Sequence, residues 1–569
     1  MDYKGACKKL SQEFLEGKIK NSRELELKKS EISSAFNLDR TPRNSDILEF
    51  LKDRQEEFVR ILIKRPIRTM SGVAVIAVMP LPSKCPHGRC IYCPGDAVNT
   101  PQSYTGKEPA TMRAINFKFH PFLQTFNRLK QLYNTGHEID KVELIIMGGT
   151  FPSQSFDYQE YFIRECLNAM NYFDPEADET SLDNMFDLNY VNTSLENRFS
   201  HKNNSNDFAS YILEDEQLTL DKAQKINEKS KIRCIGMTFE TRPDWAKEVH
   251  CDRMLSYGGT RVELGVQIIS DEIYQKVNRG HTVNDVVQAT RILKDAGFKI
   301  NYHMMPGLPG SSFEKDIDTF RTIFSNKLFM PDMVKFYSCL VLEGTELYDM
   351  WKKGEYVPYT TEEAMELILK IKEFMPKWVR TMRIQRDIPS TLVQAGVKRS
   401  NLGQMIEEEL KIRNIQCKCV RCREVGRKAH KEGIYPELQD IKLLTESYEA
   451  SEGLEYFISF EDVKRDILIG YVRLRKPSEF AHRKEISKVP TGIIRELHVY
   501  GGLIGIGDKK ESGWQHQGYG RKLLLEAERI AKEDLDLKKM VIISGIGARE
   551  YYRKFKYKKE RPYMSKILQ

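Results

Sequence analysis

The sequence predicts an α/β protein: a partial barrel of six parallel βα units, with a smaller α+β domain after it and a helical segment before it. Three observations lead there. From about residue 71, apolar runs of strand length alternate with helical stretches, the pattern of parallel βα units. The first of those runs feeds directly into a loop holding three cysteines. From Leu454 the pattern changes to alternating strands, followed by a glycine loop that opens an amphipathic helix.

At 569 residues the chain exceeds one ordinary core, so two or three domains are expected. A hydrophobic content of 40% with 30% charged residues describes a soluble globular protein. There is no apolar run of about 18 residues, so no membrane span is expected. The start, Met1-Asp-Tyr-Lys-Gly, lacks the apolar core of a signal peptide, and a cytoplasmic location is expected. The eleven cysteines include two tight clusters, at 85/90/93 and 417/419/422, which reads as metal usage in a reducing compartment and not as a disulfide framework. The net charge of +8 hides an asymmetry. Residues 174–216 hold eleven acids against Arg198 and Lys202, a net of −9, and the rest of the chain carries +17. Residues 377–433 hold fourteen Lys/Arg against six acids, an excess that suits a nucleic-acid backbone or a solvated helix face.

Residues 1–70 read as helical, with Leu10, Phe14, Leu51, Phe58, Ile61 and Leu62 at roughly helical spacing and a basic end at 64–68 that suits a nucleic-acid arm or a packing helix pair. Residues 71–395 read as the barrel. Strands are expected at 73–78, 142–147, 232–238, 260–266, 299–304 and 334–337. The cysteine loop, Cys85-Pro-His-Gly-Arg-Cys90-Ile-Tyr-Cys93, lies just past the carboxyl end of the first strand, where barrel enzymes place their chemistry. Three thiolates on one short loop can bind one face of a [4Fe–4S] cluster and leave one iron open; a structural zinc knuckle is the alternative. Other strand ends carry Gly148 and Gly149, Glu240 and Arg242, Glu263 and Gln267, and His303. A barrel core otherwise prefers apolar ends, so this repeated polarity points to a site. The acidic stretch 174–216 breaks the pattern and reads as a loop insertion, in part disordered.

Residues 396–440 form a basic connector with Cys417, Cys419 and Cys422, a candidate structural zinc site for which His430 is the nearest fourth ligand in sequence. Residues 441–569 form the last domain. Two alternating runs around Glu461–Asp466 read as a hairpin, followed by strands at 493–499 and 540–544. Between those strands lies Gln515-His-Gln517-Gly518-Tyr519-Gly520-Arg521, leading into a helix. Such a loop presents free backbone N–H groups to a pyrophosphate.

These motifs carry a resemblance. The cysteine loop resembles that of radical S-adenosylmethionine enzymes, with one residue more than their commonest first gap. The Gln-x-x-Gly-x-Gly loop resembles the acetyl-CoA loop of GNAT acetyltransferases. The strings Gln102-Ser-Tyr-Thr-Gly106, Met112-Arg-Ala-Ile115, Gln385-Arg-Asp-Ile-Pro389 and Arg495-Glu-Leu-His-Val-Tyr-Gly501 are similar to the catalytic subunit of Elongator and its archaeal and bacterial relatives, over roughly residues 70–569. That resemblance implies a radical S-adenosylmethionine barrel joined to a GNAT domain. The implied activity is a 5-carboxymethyluridine synthase acting on the wobble uridine, position 34, in the anticodon stem-loop of tRNA. It implies a [4Fe–4S] cluster on Cys85, Cys90 and Cys93, with S-adenosyl-L-methionine contacted by Gly148 and Gly149. It implies acetyl-CoA held by Lys141, Glu496, Leu497, His498, Val499, Gln517, Gly518, Tyr519, Gly520, Arg521 and Tyr552. The family mechanism has a 5′-deoxyadenosyl radical take hydrogen from the acetyl methyl, the carbon radical add to uridine C5, and hydrolysis free the thiol. Tyr552 is the expected proton donor to that thiol, with Tyr551 the runner-up. The rival reading is a protein lysine acetyltransferase with a structural cluster. The sequence leaves a homodimer and accessory subunits open.

Overall fold

The computed structural model describes residues 2–51, 56–63, 72–175, 219–500 and 518–568. The basic end at 64–68, most of the acidic stretch and Gln517 therefore lie outside the described residues.

The N-terminal helices Tyr3–Leu15, Ser22–Ala35, Asn44–Leu48 and Glu56–Leu62 close around Leu10, Phe14, Leu25 and Leu62, as their spacing requires. The barrel strands are β1 (Ala74–Val78), β2 (Lys141–Ile146), β3 (Arg233–Thr241), β4 (Arg261–Gln267), β5 (Lys299–Met304) and β6 (Met333–Phe336). All six expected strands are present. A short ladder, β7 (Val341–Leu342) with β9 (Val393–Ala395), lies beyond them, and β8 (Arg380–Ile384) pairs with β6 as a seventh parallel strand. The order β1-β2-β3-β4-β5-β6-β8 makes an open half-barrel. Helices cover its outside. On β2, Val142, Leu144 and Ile146 are buried under them, while Lys141, Glu143 and Ile145 turn to the inside. The helix Val283–Asp295, which leads into β5, starts with a reciprocal Thr282–Asp285 capping box.

The second sheet runs β10 (Ile441–Ala450), β11 (Gly453–Asp462), β12 (Ile467–Lys476), β13 (Thr491–Val499), β14 (Lys539–Ile542), β16 (Tyr563–Ile567) and β15 (Lys558–Glu560). The expected hairpin is β11–β12. Only β13 and β14 pair in parallel, and their ladder stops at Ile494 and Ile542. Beyond it Glu496, Leu497, His498 and Val499 keep β12 on one side and have no strand on the other among the described residues.

The face of this sheet packs on the amino-terminal ends of β5 and β6. Arg495 sits at a bulge in the β12–β13 ladder, and a bulge re-aims a side chain. Its guanidinium donates to both Asp332 oxygens, to Glu455 and to the Phe298 carbonyl. Arg475 donates to Asp295, Glu455 and the carbonyls of Ala450 and Ser451. These five charged residues are 0–1% exposed, and every nitrogen of the two arginines is used. Gly545 is needed at the same seam: a Cβ there would sit 2.0 Å from the Ile235 carbonyl oxygen of β3.

The connector is a folded element and not a loose basic strap. It holds the helices Leu402–Ile412, Val420–Arg423 and Val425–Glu432. Arg423, one of the residues in that basic excess, is 1% exposed and pairs with Glu461 and Asp466. Arg427 and Lys431 pair with Glu407. The charge excess is thus largely spent on internal pairs, whereas Lys398, Arg399 and Lys418 are exposed.

Candidate active site

Cys85, Cys90 and Cys93 line a cavity at the carboxyl ends of the barrel strands, together with Gly149, Glu240, Arg242, Glu263, Gln267 and His303. Strand-end polarity read from the sequence thus converges on one space. Gly148 is beside it but packs on Pro80 and Pro101. Gly149 has φ +99° and open space where a Cβ would be.

The thiols sit in an electropositive corner. His87 Nε2 is 3.2 Å from Cys90 Sγ, and Arg279 Nη1 donates to the same sulfur at 3.7 Å. A hydrogen bond from Cys93, against the cost of burial, with His87 and Arg279 beside it, holds the Cys90 thiol well below its usual range. Gly265 leaves room for this guanidinium, since a Cβ there would come 2.5 Å from Arg279 Nη2. His87 Nδ1, Arg279 Nε and Gln267 Oε1 are buried without partners among the described residues. Three soft donors, a buried cation and open polar atoms suit an iron–sulfur cluster and a polar ligand against it.

The floor of the cavity is ionic. His303 Nε2 lies 2.7 Å from Glu263 Oε2, Lys335 pairs with Glu263 and reaches Glu240 at 3.9 Å, and Tyr104 donates to Glu240 at 2.9 Å. Burial works against the Glu263 charge, but Lys335 and His303 outweigh it and hold the carboxyl well below its usual range. Burial and Lys335 push His303 down. Glu240, Glu263 and His303 come together as metal ligands would, yet Lys335 already supplies the countercharge.

The second site lies at the other end of the barrel. The unpaired edge at Glu496, Leu497, His498 and Val499 faces Gly518, which caps the helix Tyr519–Arg529 at φ +84° with no side-chain cap. Its free N–H groups suit a pyrophosphate. Glu496 is fixed by Arg473 at 2.9 Å.

Matches to known families follow this division. Residues 3–70 match the ELP3 N-terminal domain, 205–323 the Radical SAM superfamily, 331–412 the Radical_SAM C-terminal domain and 422–557 the Acetyltransferase (GNAT) family. The chain is 49% identical over 567 residues to the tRNA uridine(34) acetyltransferase of Methanocaldococcus infernus, covering 98% of each. It is 40% identical over 550 residues to human Elongator complex protein 3, covering 95% of this chain and 92% of that one. The chain belongs to the Elongator catalytic-subunit family. The solved structure of M. infernus Elp3 with an N-terminal deletion matches it with a TM-score of 0.72 at 47% identity, over 88% of this chain and 100% of that one. As a family member the chain is an enzyme with radical S-adenosylmethionine and GNAT acetyltransferase domains. The first domain implies a [4Fe–4S] cluster and S-adenosylmethionine; the second implies acetyl-CoA. No helix among the described residues is long and apolar enough to cross a membrane.

Of the residues expected for acetyl-CoA, Lys141 opens β2 at the GNAT-facing end of the barrel. Tyr552 is 7% exposed in the core of the second domain, while a Cβ on Gly520 would come 3.0 Å from the Tyr551 hydroxyl. Tyr551 is therefore the tyrosine nearer the glycine loop. The thiols of Cys417, Cys419 and Cys422 lie within 4.8 Å of one another, and His430 is not in that group. Lys372 donates to Cys419 at 3.6 Å. Sequence reasoning assigned no role to Arg279, Tyr104, Lys335 or Tyr337. Arg279 sits after a short helix without periodic signal, and Lys335 hides in an apolar-looking strand; only Tyr104 lay within a quoted family string.

Proposed function

We propose that this protein is a tRNA uridine-34 carboxymethyl synthase that makes 5-carboxymethyluridine from acetyl-CoA. The single observation that carries the reading is a cluster cavity and an acyl edge at the two ends of one half-barrel, locked together by an ion network in which Arg475 and Arg495 use every nitrogen. Relatives named for uridine 34 of tRNA support the substrate class. When bound, the cluster and S-adenosylmethionine supply a 5′-deoxyadenosyl radical able to activate an unreactive methyl group. Cys85, Cys90 and Cys93 hold the cluster, and Gly149, Gln267 and Arg279 take the polar ends of S-adenosylmethionine. Glu496, Leu497, His498, Val499 and the loop at Gly518 hold acetyl-CoA, with Lys141 approaching from the barrel. Tyr551 protonates the departing thiolate of CoA, and Tyr552 packs behind it. Lys398, Arg399 and Lys418 face the phosphates of the anticodon stem-loop. Cys417, Cys419 and Cys422 supply three thiolates to a zinc ion, which metal analysis of the purified chain would detect near one equivalent per chain.

A lysine acetyltransferase with a structural cluster has no use for unpartnered polar atoms around that cluster. Mass analysis of wobble nucleosides tests the reading, using tRNA incubated anaerobically with the protein, S-adenosylmethionine and acetyl-CoA. Carboxymethyluridine is expected; acetylated peptide with unmodified tRNA would sink it.

A further inference from the structure

The two sites lie at opposite ends of the same strands. On β5, Lys299 stands at the GNAT end and Met304 at the cluster end, roughly 17 Å apart at strand rise. An acetyl group held only at the GNAT edge is out of reach of a reaction centre at the cluster. The way between is the inside of the half-barrel, and this inside is polar where barrel interiors are normally filled by branched apolar side chains.

Alternation puts Lys299, Asn301 and His303 of β5 on the inner face, because Ile300, Tyr302 and Met304 pack outward into the core under the helices. On β4 the same holds for Arg261 and Glu263, which stand beside Lys299 and Asn301 in the ladder. Along this face runs a series of polar groups without partners among the described residues. His498 Nε2 is buried and unpaired at the acyl edge. The Lys299 ammonium has no bonded partner; Glu496 is the acid that acts on it most strongly. Asn301 is 0% exposed, and neither its oxygen nor its nitrogen is hydrogen-bonded. Glu263 Oε1 beside it accepts no hydrogen bond, with only the Arg261 Nε cation 3.5 Å away, and Glu263 lines the cluster cavity. An unpaired buried amide destabilises the fold, so a protein that only needed a packed barrel would place an apolar residue here.

We propose that the inside of the half-barrel is the passage for the acyl group, and that Asn301 is its positioning residue, donating Nδ2–H to the thioester carbonyl oxygen of acetyl-CoA. Lys141, Arg261 and Lys299 form the mouth on the GNAT side. Asn301 lies about 7 Å further in, one strand repeat of two residues, and His303 the same distance beyond it. The amide is neutral, with an NH2 donor group and a carbonyl acceptor, which suits a short neutral acyl thioester and not a carboxylate. The inference rests on the carboxymethyl synthase reading.

The test uses the full chain with its cluster reconstituted anaerobically. In Asn301→Cys, bromoacetyl-CoA should alkylate the introduced thiol: the thiolate sulfur bonds the bromoacetyl carbon as the C–Br bond breaks, and bromide leaves. Peptide mapping should show this reaction about tenfold or more faster than with bromoacetamide, as expected of a tethered reagent, and slowed by acetyl-CoA. Labelling at position 301 that is no faster than with bromoacetamide, or no labelling at all, overturns the passage. In Asn301→Leu the melting temperature should hold or rise and acetyl-CoA binding persist. Transfer of deuterium from trideuterated acetyl-CoA to 5′-deoxyadenosine should fall about tenfold or more, the scale of a lost positioning contact. A lower melting temperature, or transfer at the native rate, overturns the role of Asn301. If the native enzyme makes no carboxymethyluridine, the functional reading itself fails, and the two failures are distinct.

Discussion

Two buried polar regions of this molecule differ in one respect. At the seam between the domains, Arg475 and Arg495 use every nitrogen on Asp295, Asp332, Glu455 and backbone carbonyls. Inside the half-barrel, around the cysteine loop and at the acyl edge, Asn301, Gln267, Arg279 and His498 keep atoms unpaired. Both regions are costly to bury. The saturated one recovers its cost within the fold and fixes the two domains against each other. The unsaturated one does not, and its open valences mark where ligands complete the structure.

Emptying the unsaturated region should leave the fold standing. Cys90→Ser is expected to abolish the iron–sulfur absorbance near roughly 400 nm, typical of such clusters, while acetyl-CoA affinity and melting temperature stay near native. A cluster that survives in this variant would have its ligands elsewhere.

Breaking the saturated region should do the opposite. Arg495→Leu leaves Asp332 and Glu455 short of a partner, a change expected to cost about 3–5 kcal/mol. The denaturant midpoint should drop, and both the cluster site and acetyl-CoA binding should fail together. A variant of native stability would show that the seam is not held by these charges.

Acid probes the same network more gently. Burial opposes ionisation of Asp332 and Glu455, but Arg495 and its neighbours hold both carboxyls below their usual range in the fold. The unfolded chain takes up these protons near about pH 4, so the stabilisation is fully present above that and lost as pH falls further. Denaturant midpoints should be level from about pH 5 to 7 and drop below about 4. A midpoint level down to about pH 3 would remove these carboxylates from the account.

The smallest effect is expected at the surface. Neutralising Lys398 and Arg399 should weaken tRNA binding and lower the slope of log affinity against log salt by about one unit per lost phosphate contact. Filter binding across a salt series reads this directly. Arg423, buried on Glu461, belongs to the folding arms of these experiments and not to this one. An unchanged slope in the surface variants would move the tRNA to another face.

How much of this was legible depended on the kind of signal. Cys85, Cys90 and Cys93 announce themselves by spacing, and Gly518 by a loop that can only open a helix. The six barrel strands stand out as apolar runs. β8 does not, because Arg380-Thr-Met-Arg-Ile384 alternates charge with apolar residues and looks like a surface strand. β10 was missed for the same reason, its Lys442, Glu446 and Glu449 masking Ile441 and Tyr448. The seam was invisible: Arg473, Arg475 and Arg495 read as the solvent face of strands until a second domain covers that face. Asn301 gives no sequence signal either. Its meaning comes from what it lacks, and a missing partner exists only in three dimensions.

The central claim is that chemistry at the cluster acts on an acetyl group delivered from the other domain. Acetyl-CoA deuterated at the methyl, given anaerobically with S-adenosylmethionine and tRNA, tests it most directly. The account predicts deuterium in 5′-deoxyadenosine in step with carboxymethyluridine formation. Deuterium-free 5′-deoxyadenosine alongside normal product would contradict it.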